Sequence, residues 1–258
     1  MPRRQRLFVA FVLVLTMVVP GISVIAPPPA SSGPHFVSAV PFSGIRAANA
    51  TSYNWAGYVA TGNPGSVSYV HMRWKAPNLL CNSTTSLEAT WLGIDGYNST
   101  TVEQIGTMAQ CSGGVASYYA WWELYPSTSI QIIGKITVHA NDLFVASVFY
   151  SITTNEFKLV LRDITTRITF VKTASQPGAM RNSAECIVEA PSGDNSTASG
   201  IYPLVHFKSE FIRRCSVVGS SVVLLVNMVS YPSGSRVLAS TGPWKPRASF
   251  AVDWHYGY

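Results

Sequence analysis

Two carboxylates stand four residues apart in NSAECIVEA (residues 182–190): Glu185 and Glu189, among apolar Ala184, Ile187, Val188 and Ala190. In a chain with only 12% charged residues, such a placement suits acid–base work, in which a carboxyl takes a proton from an attacking water and later returns it. The segment reads as an interior strand. On a strand, residues i and i+4 share a face but lie ~13 Å apart at about 3.3 Å per residue, so the two cannot form a catalytic pair by themselves. A partner must come from another strand, and Asp95, Glu123 and the amide Gln104 of VEQIGT are the candidates. The plainer alternative is that Glu185 and Glu189 face solvent on a half-exposed sheet.

Several other chemistries lack their motifs. There is no G-x-S-x-G elbow, no H-E-x-x-H zinc helix, no P-loop and no D-T/S-G loop of a pepsin-like aspartic protease. His71, His139, His206 and His255 are scattered singly, and His139 with Asp142 in HAND is the least weak ligand pair. No metal site and no cofactor is expected.

The elements that must position these groups are strands. From residue 52 onward the pattern has period two, in short runs such as SVSYVHMRW, EATWLGI, SYYAWWELY, IQIIGKITVHA, LFVASVFYSIT, FKLVLRD, RITFVK, SVVLLVNMVSY and ASFAVDW. Turn residues separate the runs and no helix-length amphipathic window intervenes, which argues for an all-β antiparallel sandwich or barrel. No internal repeat speaks for a propeller. Alternation sorts the faces. Trp91, Gly93 and Asp95 share one face of ATWLGIDG; Tyr119, Trp121, Glu123 and Tyr125 share one face of SYYAWWELYP; Glu185, Ile187 and Glu189 share one face of AECIVEA. Carboxylates among aromatic and small neighbours suit a groove better than a core.

At 258 residues and 47% hydrophobic, the chain can bury a full core in one domain, residues 51–258. Ahead of it, PRRQR and the 13-residue apolar run at residues 7–19, broken by Pro20-Gly21, read as a secretory signal cleaved near Ala26. Thirteen residues fall short of the ~20 of a spanning helix, so no stable membrane association is expected after its removal. Residues 27–50, rich in Pro, Ser, Gly and Ala, read as a linker or short pro-segment. Removing residues 1–50 takes four arginines with it and leaves 14 basic against 12 acidic residues, so the formal +6 becomes +2. With no run of bases left beyond the pair Arg213-Arg214, a nucleic-acid partner loses its electrostatic support. A secreted monomer is expected. Secretion permits disulfides among Cys81, Cys111, Cys186 and Cys215, and glycosylation at the sequons of Asn49, Asn82, Asn98 and Asn195.

SYNWAGYV, WLGIDG, EQIGT, YYAWWELYP, AECIVEAP and the closing FAVDW occur in an order and spacing that resemble the glutamic peptidase family, the eqolisins. The resemblance spans roughly residues 52–254. It implies a concanavalin-like antiparallel β-sandwich of two large sheets with the site on the concave face, and an acid-acting endopeptidase whose substrates are polypeptides. It places the catalytic glutamine on Gln104 and the catalytic glutamate on Glu189, with Glu185 as support or surface. Trp91, Asp95, Trp121, Glu123 and Tyr125 match positions that line or support the groove. The implied chemistry has no covalent intermediate: Glu189 deprotonates water, Gln104 stabilises the oxyanion, and Glu189 then protonates the leaving amine. A family disulfide would match Cys81 with Cys111, whereas Cys186 and Cys215 either pair or remain buried thiols. The chain departs from the family where an acid after the glutamine is replaced by Met108 or Ala109, and where the tryptophan of A-E-W-I-V-E is Cys186.

Two other classes fit the same face. A retaining glycoside hydrolase would use Glu123 and Glu189 about 5–5.5 Å apart. A carbohydrate-binding module would use Trp91, Trp121 and Tyr125 as stacking platforms. Neither gives Gln104 an essential role.

Overall fold

The computed structural model describes residues 36–39, 48–193, 200–245 and 247–257. The signal at 1–26 and the Asn195 sequon lie outside them. In chain order the strands are β1 (Phe36–Ala39), β2 (Ala48–Ser52), β3 (Trp55–Thr61), β4 (Tyr69–Lys75) and β5 (Ser86–Asp95). They continue with β6 (Val102–Ser112), β7 (Val115–Tyr125), β8 (Thr128–Ile132), β9 (Leu143–Ser151) and β10 (Glu156–Asp163). The last six are β11 (Thr169–Ala174), β12 (Ser183–Glu189), β13 (Ser209–Val218), β14 (Val222–Val229), β15 (Val237–Thr241) and β16 (Phe250–Trp254). No helix occurs among the described residues.

The strands follow one another as β11-β10-β9-β4-β13-β16-β15-β14-β3-β12-β5-β6-β7-β8. All these pairs are antiparallel; β2 lies parallel to β14. Strand β13 makes the corner. Its residues Ser209 to Ile212 pair with β16, and from Arg213 onward it pairs with β4, with an irregular step between Arg213 and Ser216. Two layers result, with β4, β9 and β10 packed across β5 and β6. The expected β-sandwich is what forms.

Period-two patterning builds the core between the layers. Val70, Met72 and Trp74 of β4 and Phe144, Ala146 and Val148 of β9 meet Leu92, Ile94, Ile105, Cys186 and Val188 from the first sheet. Both cysteine pairs are closed, Cys81–Cys111 and Cys186–Cys215, at sequence separations of 30 and 29. Loops of that length stabilise by about 3–4 kcal/mol through the unfolded chain. No free thiol remains among the described residues, which decides the alternative left open for Cys186 and Cys215.

Two segments differ from the sequence expectation. The run IQIIGKITVHA stops being a strand at Ile132. Ile133, Ile136 and Val138 dock into the core as irregular chain, and the N–H of Ile136 closes a turn onto the carbonyl of Ile133 at 3.0 Å. Residues 36–39 and 48–50, linker by composition, form β1 and part of β2, because Ala48 and Ala50 alternate into an apolar cluster beside β14.

Candidate active site

The outer face of the first sheet carries a second apolar cluster that includes Trp55, Trp91, Met108, Trp121 and Ile187. The candidate residues sit within it. Register arranges them in rows across the strands. One row runs Glu185, Gly93, Gln104, Glu123. The next runs Ile187, Trp91, Gly106, Trp121, and a third begins with Trp55 and Glu189. The strand faces sorted by alternation are therefore the faces that meet.

Two glycines make room for the tryptophan in the middle. A Cβ on Gly106 would stand 2.3 Å from the Thr90 carbonyl oxygen and 2.6 Å from the Trp91 Cβ. A Cβ on Gly93 would stand 3.1 Å from the Trp91 ring and 3.2 Å from the Gln104 Cβ. Trp91 thus lies along the sheet, edge-on to Trp55 with ring centroids 5.0 Å apart.

From there the Trp91 indole N–H donates to Glu189 Oε2 at 2.7 Å. Asn54 donates its side-chain N–H to Glu189 Oε1 at 3.2 Å. The Asn54 amide is oriented by the Ser52 hydroxyl, which donates to Asn54 Oδ1 at 3.0 Å. Both oxygens of Glu189 therefore accept from neutral donors, the arrangement that suits an ionised carboxylate. Burial acts against it. Glu189 is 2% exposed, and desolvation pushes its pKa up to about 8, with Glu123's charge adding to the rise and the Trp91, Trp55 and Asn54 donors opposing it.

On the first row, beyond that of Trp91, the Gln104 Nε2–H donates to Glu123 Oε2 at 2.6 Å. Desolvation pushes Glu123 up to about 7, opposed by that hydrogen bond. Gln104 Oε1 and Glu123 Oε1 are buried without hydrogen-bond partners. An amide held at one end, with a buried, orphaned oxygen, has unused hydrogen-bonding capacity for a small polar guest.

The remaining sequence candidates fall into place around this centre. Glu185 and Glu189 are both buried, so the solvent-facing alternative is overturned. Glu185 accepts the Tyr97 N–H at 3.4 Å, and burial holds its pKa well up. Asp95 is buried at the end of β5. It accepts the backbone N–H groups of Arg181 and Asn182 at 2.8 and 3.0 Å and so anchors the chain entering β12. Trp121 is buried in the same apolar cluster, with Tyr125 packed at its margin. Asn49, Asn82 and Asn98 are exposed. His139 and Asp142 close a local turn, and no cluster of three metal-ligating side chains occurs among the described residues. Sequence patterning assigns no role to Asn54 or Trp55. Their signal lay in the quoted block SYNWAGYV, but the partner across β12 is set by register alone.

The sequence model of the peptidase A4 family matches residues 53–230. Among solved structures, scytalido-glutamic peptidase with a peptide-based transition state analog is similar at a TM-score of 0.66 and 23% identity, over 79% of this chain and 98% of that one. SCP-B, a member of the eqolisin family in complex with the tripeptide Ala-Ile-His, gives 0.62 and 21% over 79% and 98%. Aspergilloglutamic peptidase from Aspergillus niger gives 0.53 and 23% over 66% and 99%. At such identities the likeness is one of fold. Comparison with the curated proteins gives no match.

Proposed function

Since this chain belongs to the peptidase A4 family and is a glutamic endopeptidase, we propose that Glu189 and Gln104 form its working pair on the outer face of the first sheet. The observation that carries the proposal is the treatment of Glu189. It is the one carboxylate on that face whose two oxygens each accept a hydrogen bond from a fixed side-chain donor, Trp91 and Asn54.

In the proposed cycle, ionised Glu189 takes a proton from a water as the water's oxygen bonds to the scissile carbonyl carbon. General-base help of this kind is worth ~10²–10⁴ in rate. The Gln104 amide donates an N–H to the developing oxyanion, where losing one donor costs about 3 kcal/mol. The C–N bond then breaks as Glu189 returns its proton to the leaving amine. No covalent enzyme intermediate forms.

Glu123 positions the amide. Ionised, it accepts from Gln104 Nε2–H, as in the structure. Protonated, which its pKa of about 7 makes the acid-range form, it can donate to the Gln104 carbonyl oxygen and leave both N–H groups for substrate. This is a physical reason for action in acid. Glu189 must meet the opposite demand. Entry of water and substrate replaces the dry surroundings that push it up, while the Trp91 and Asn54 donors continue to favour its charged form.

The pairing of all four cysteines supports secretion through an oxidising compartment, with a signal ending near Ala26 and glycosylation at exposed sequons. We take the secreted enzyme to be a monomer. Sugar-directed readings of the same face lose their ground with the family assignment and leave Gln104 without a task.

The test is digestion of a denatured protein substrate across pH 2 to 7 by wild type, Gln104→Ala and Glu189→Gln, with folding checked for each. Both well-folded variants are expected to lose proteolysis. Wild-type rates in either variant would end the proposal.

A further inference from the structure

Among the described residues nine of eleven carboxylates are buried, whereas every lysine and arginine beyond residue 50 keeps part of its side chain outside the core. The formal balance of +2 therefore understates how positive the surface is. The bases gather where β13 leaves β4. Arg213 and Arg73 are register partners there, and the preceding residues of β13 turn away to pair with β16. Strands that part in this way leave a cleft, here a cavity of about 620 Å³ whose wall includes Arg73, Lys75, Lys208 and Arg213.

Like charges directly opposite each other on neighbouring strands destabilise a sheet. No ion pair holds them, since the only ion pair among the described residues is His139–Asp142. Glu210, the one acid in the wall, is 3% exposed and occupied by the Thr90 hydroxyl, 2.6 Å from its Oε2. Four cations without an ion-pair partner, from β4, β13 and the residue just before β13, surround one concavity and have the make-up of an anion site. Paired guanidinium forks match tetrahedral oxyanions in particular. We propose that this cleft binds a phosphate- or sulfate-type oxyanion, free in solution or carried on a polymer. Neither Gln104 nor Glu189 lines it, so occupancy leaves the candidate active face open.

The test is thermal unfolding of the full chain in low-salt buffer, titrated with sodium sulfate, with sodium phosphate, with sodium chloride at matched ionic strength, and with dextran sulfate. Wild type is compared with Arg73→Gln/Arg213→Gln and with Lys208→Gln, at positions half-buried (Arg73) or exposed (Arg213 and Lys208). Sulfate and phosphate are expected to raise the wild-type Tm saturably and beyond chloride, as a ligand of the native state does. The double variant, relieved of its cross-strand repulsion, should melt at or above wild type without anion and need at least about tenfold more sulfate for half its response. Lys208→Gln should shift the midpoint in the same direction by less. A larger effect of dextran sulfate than of equal free sulfate assigns the occupant to a polymer, and equal effects assign it to the free ion. An unsaturating response shared equally by chloride, or one undiminished in the double variant, overturns the site. Peptidase activity is measured in parallel and should be unchanged, so failure here leaves the Gln104 and Glu189 proposal standing.

Discussion

Raising the pH should unfold this protein, and the size of the effect follows from its buried carboxyls. Burial pushes Glu123 and Glu210 up to about 7 and Glu189 up to about 8, from an ordinary 4.5. Glu88, Glu103 and Glu185 are also held well up, chiefly by burial, and Glu210's charge adds to the rise at Glu88. One contact makes the same point by geometry. The Thr90 hydroxyl lies 3.0 Å from Glu88 Oε2 and 2.6 Å from Glu210 Oε2, yet a hydroxyl has one proton to donate, so one of the two carboxyls must supply its own. A group whose folded pKa is raised contributes stability that is fully present below its unfolded pKa and is lost as pH climbs through the folded one. The window is thus from about pH 4.5 to about 8. Counting only Glu123, Glu189 and Glu210, the native state holds about two to three more protons than the unfolded chain between pH 5 and 7, a slope of roughly −3 to −4 kcal/mol per pH unit. Ionising all three costs on the order of 10 kcal/mol, comparable with the ~5–15 kcal/mol of a whole domain. Urea unfolding at pH 4, 5, 6 and 7 measures this directly, with Glu210→Gln expected to lower the slope by about one proton. Stability that is flat within about 1 kcal/mol, or that rises, over pH 4.5 to 7 would refute the account.

Three further outcomes are expected. Glu123→Gln should remove the alkaline limb near pH 7 from the pH profile of kcat, because the group that positions Gln104 no longer titrates; an unchanged limb would assign it elsewhere. Trp91→Phe keeps an aromatic ring but deletes the 2.7 Å donor to Glu189, so the acid limb of kcat should move to higher pH in a variant that still folds, as read from the same profiles. Gly106→Ala would force a Cβ within 2.3 Å of the Thr90 carbonyl oxygen and should destabilise by about 1–3 kcal/mol, measured by urea unfolding at pH 4.

Much of the fold was legible because a strand's period is local. SAECIVE announces two faces from seven residues, and Ala184, Cys186 and Val188 do enter the core while Glu185, Ile187 and Glu189 do not. The run ending in GKITVHA misled because apolar residues at 133, 136 and 138 satisfy burial without strand pairing. Asn54 and Trp55 went unassigned for a related reason: which donor meets Glu189 depends on β3 lying beside β12, and no local pattern encodes a neighbour 135 residues away.

By itself, then, the sequence determined the element type, the sorting of faces and the family to which the chain belongs. The tertiary structure decided what those residues experience. It set the rows that put Gln104 against Glu123, the closure of Cys186 with Cys215, the parting of β13 from β4, and the withdrawal of nine carboxylates from water. Period and composition are properties of neighbouring residues, whereas register and desolvation belong to chains brought together from far apart. A carboxyl's charge is decided by the second kind of property, which is why residues 51–258, with 14 bases against 12 acids, fold into a surface dominated by bases.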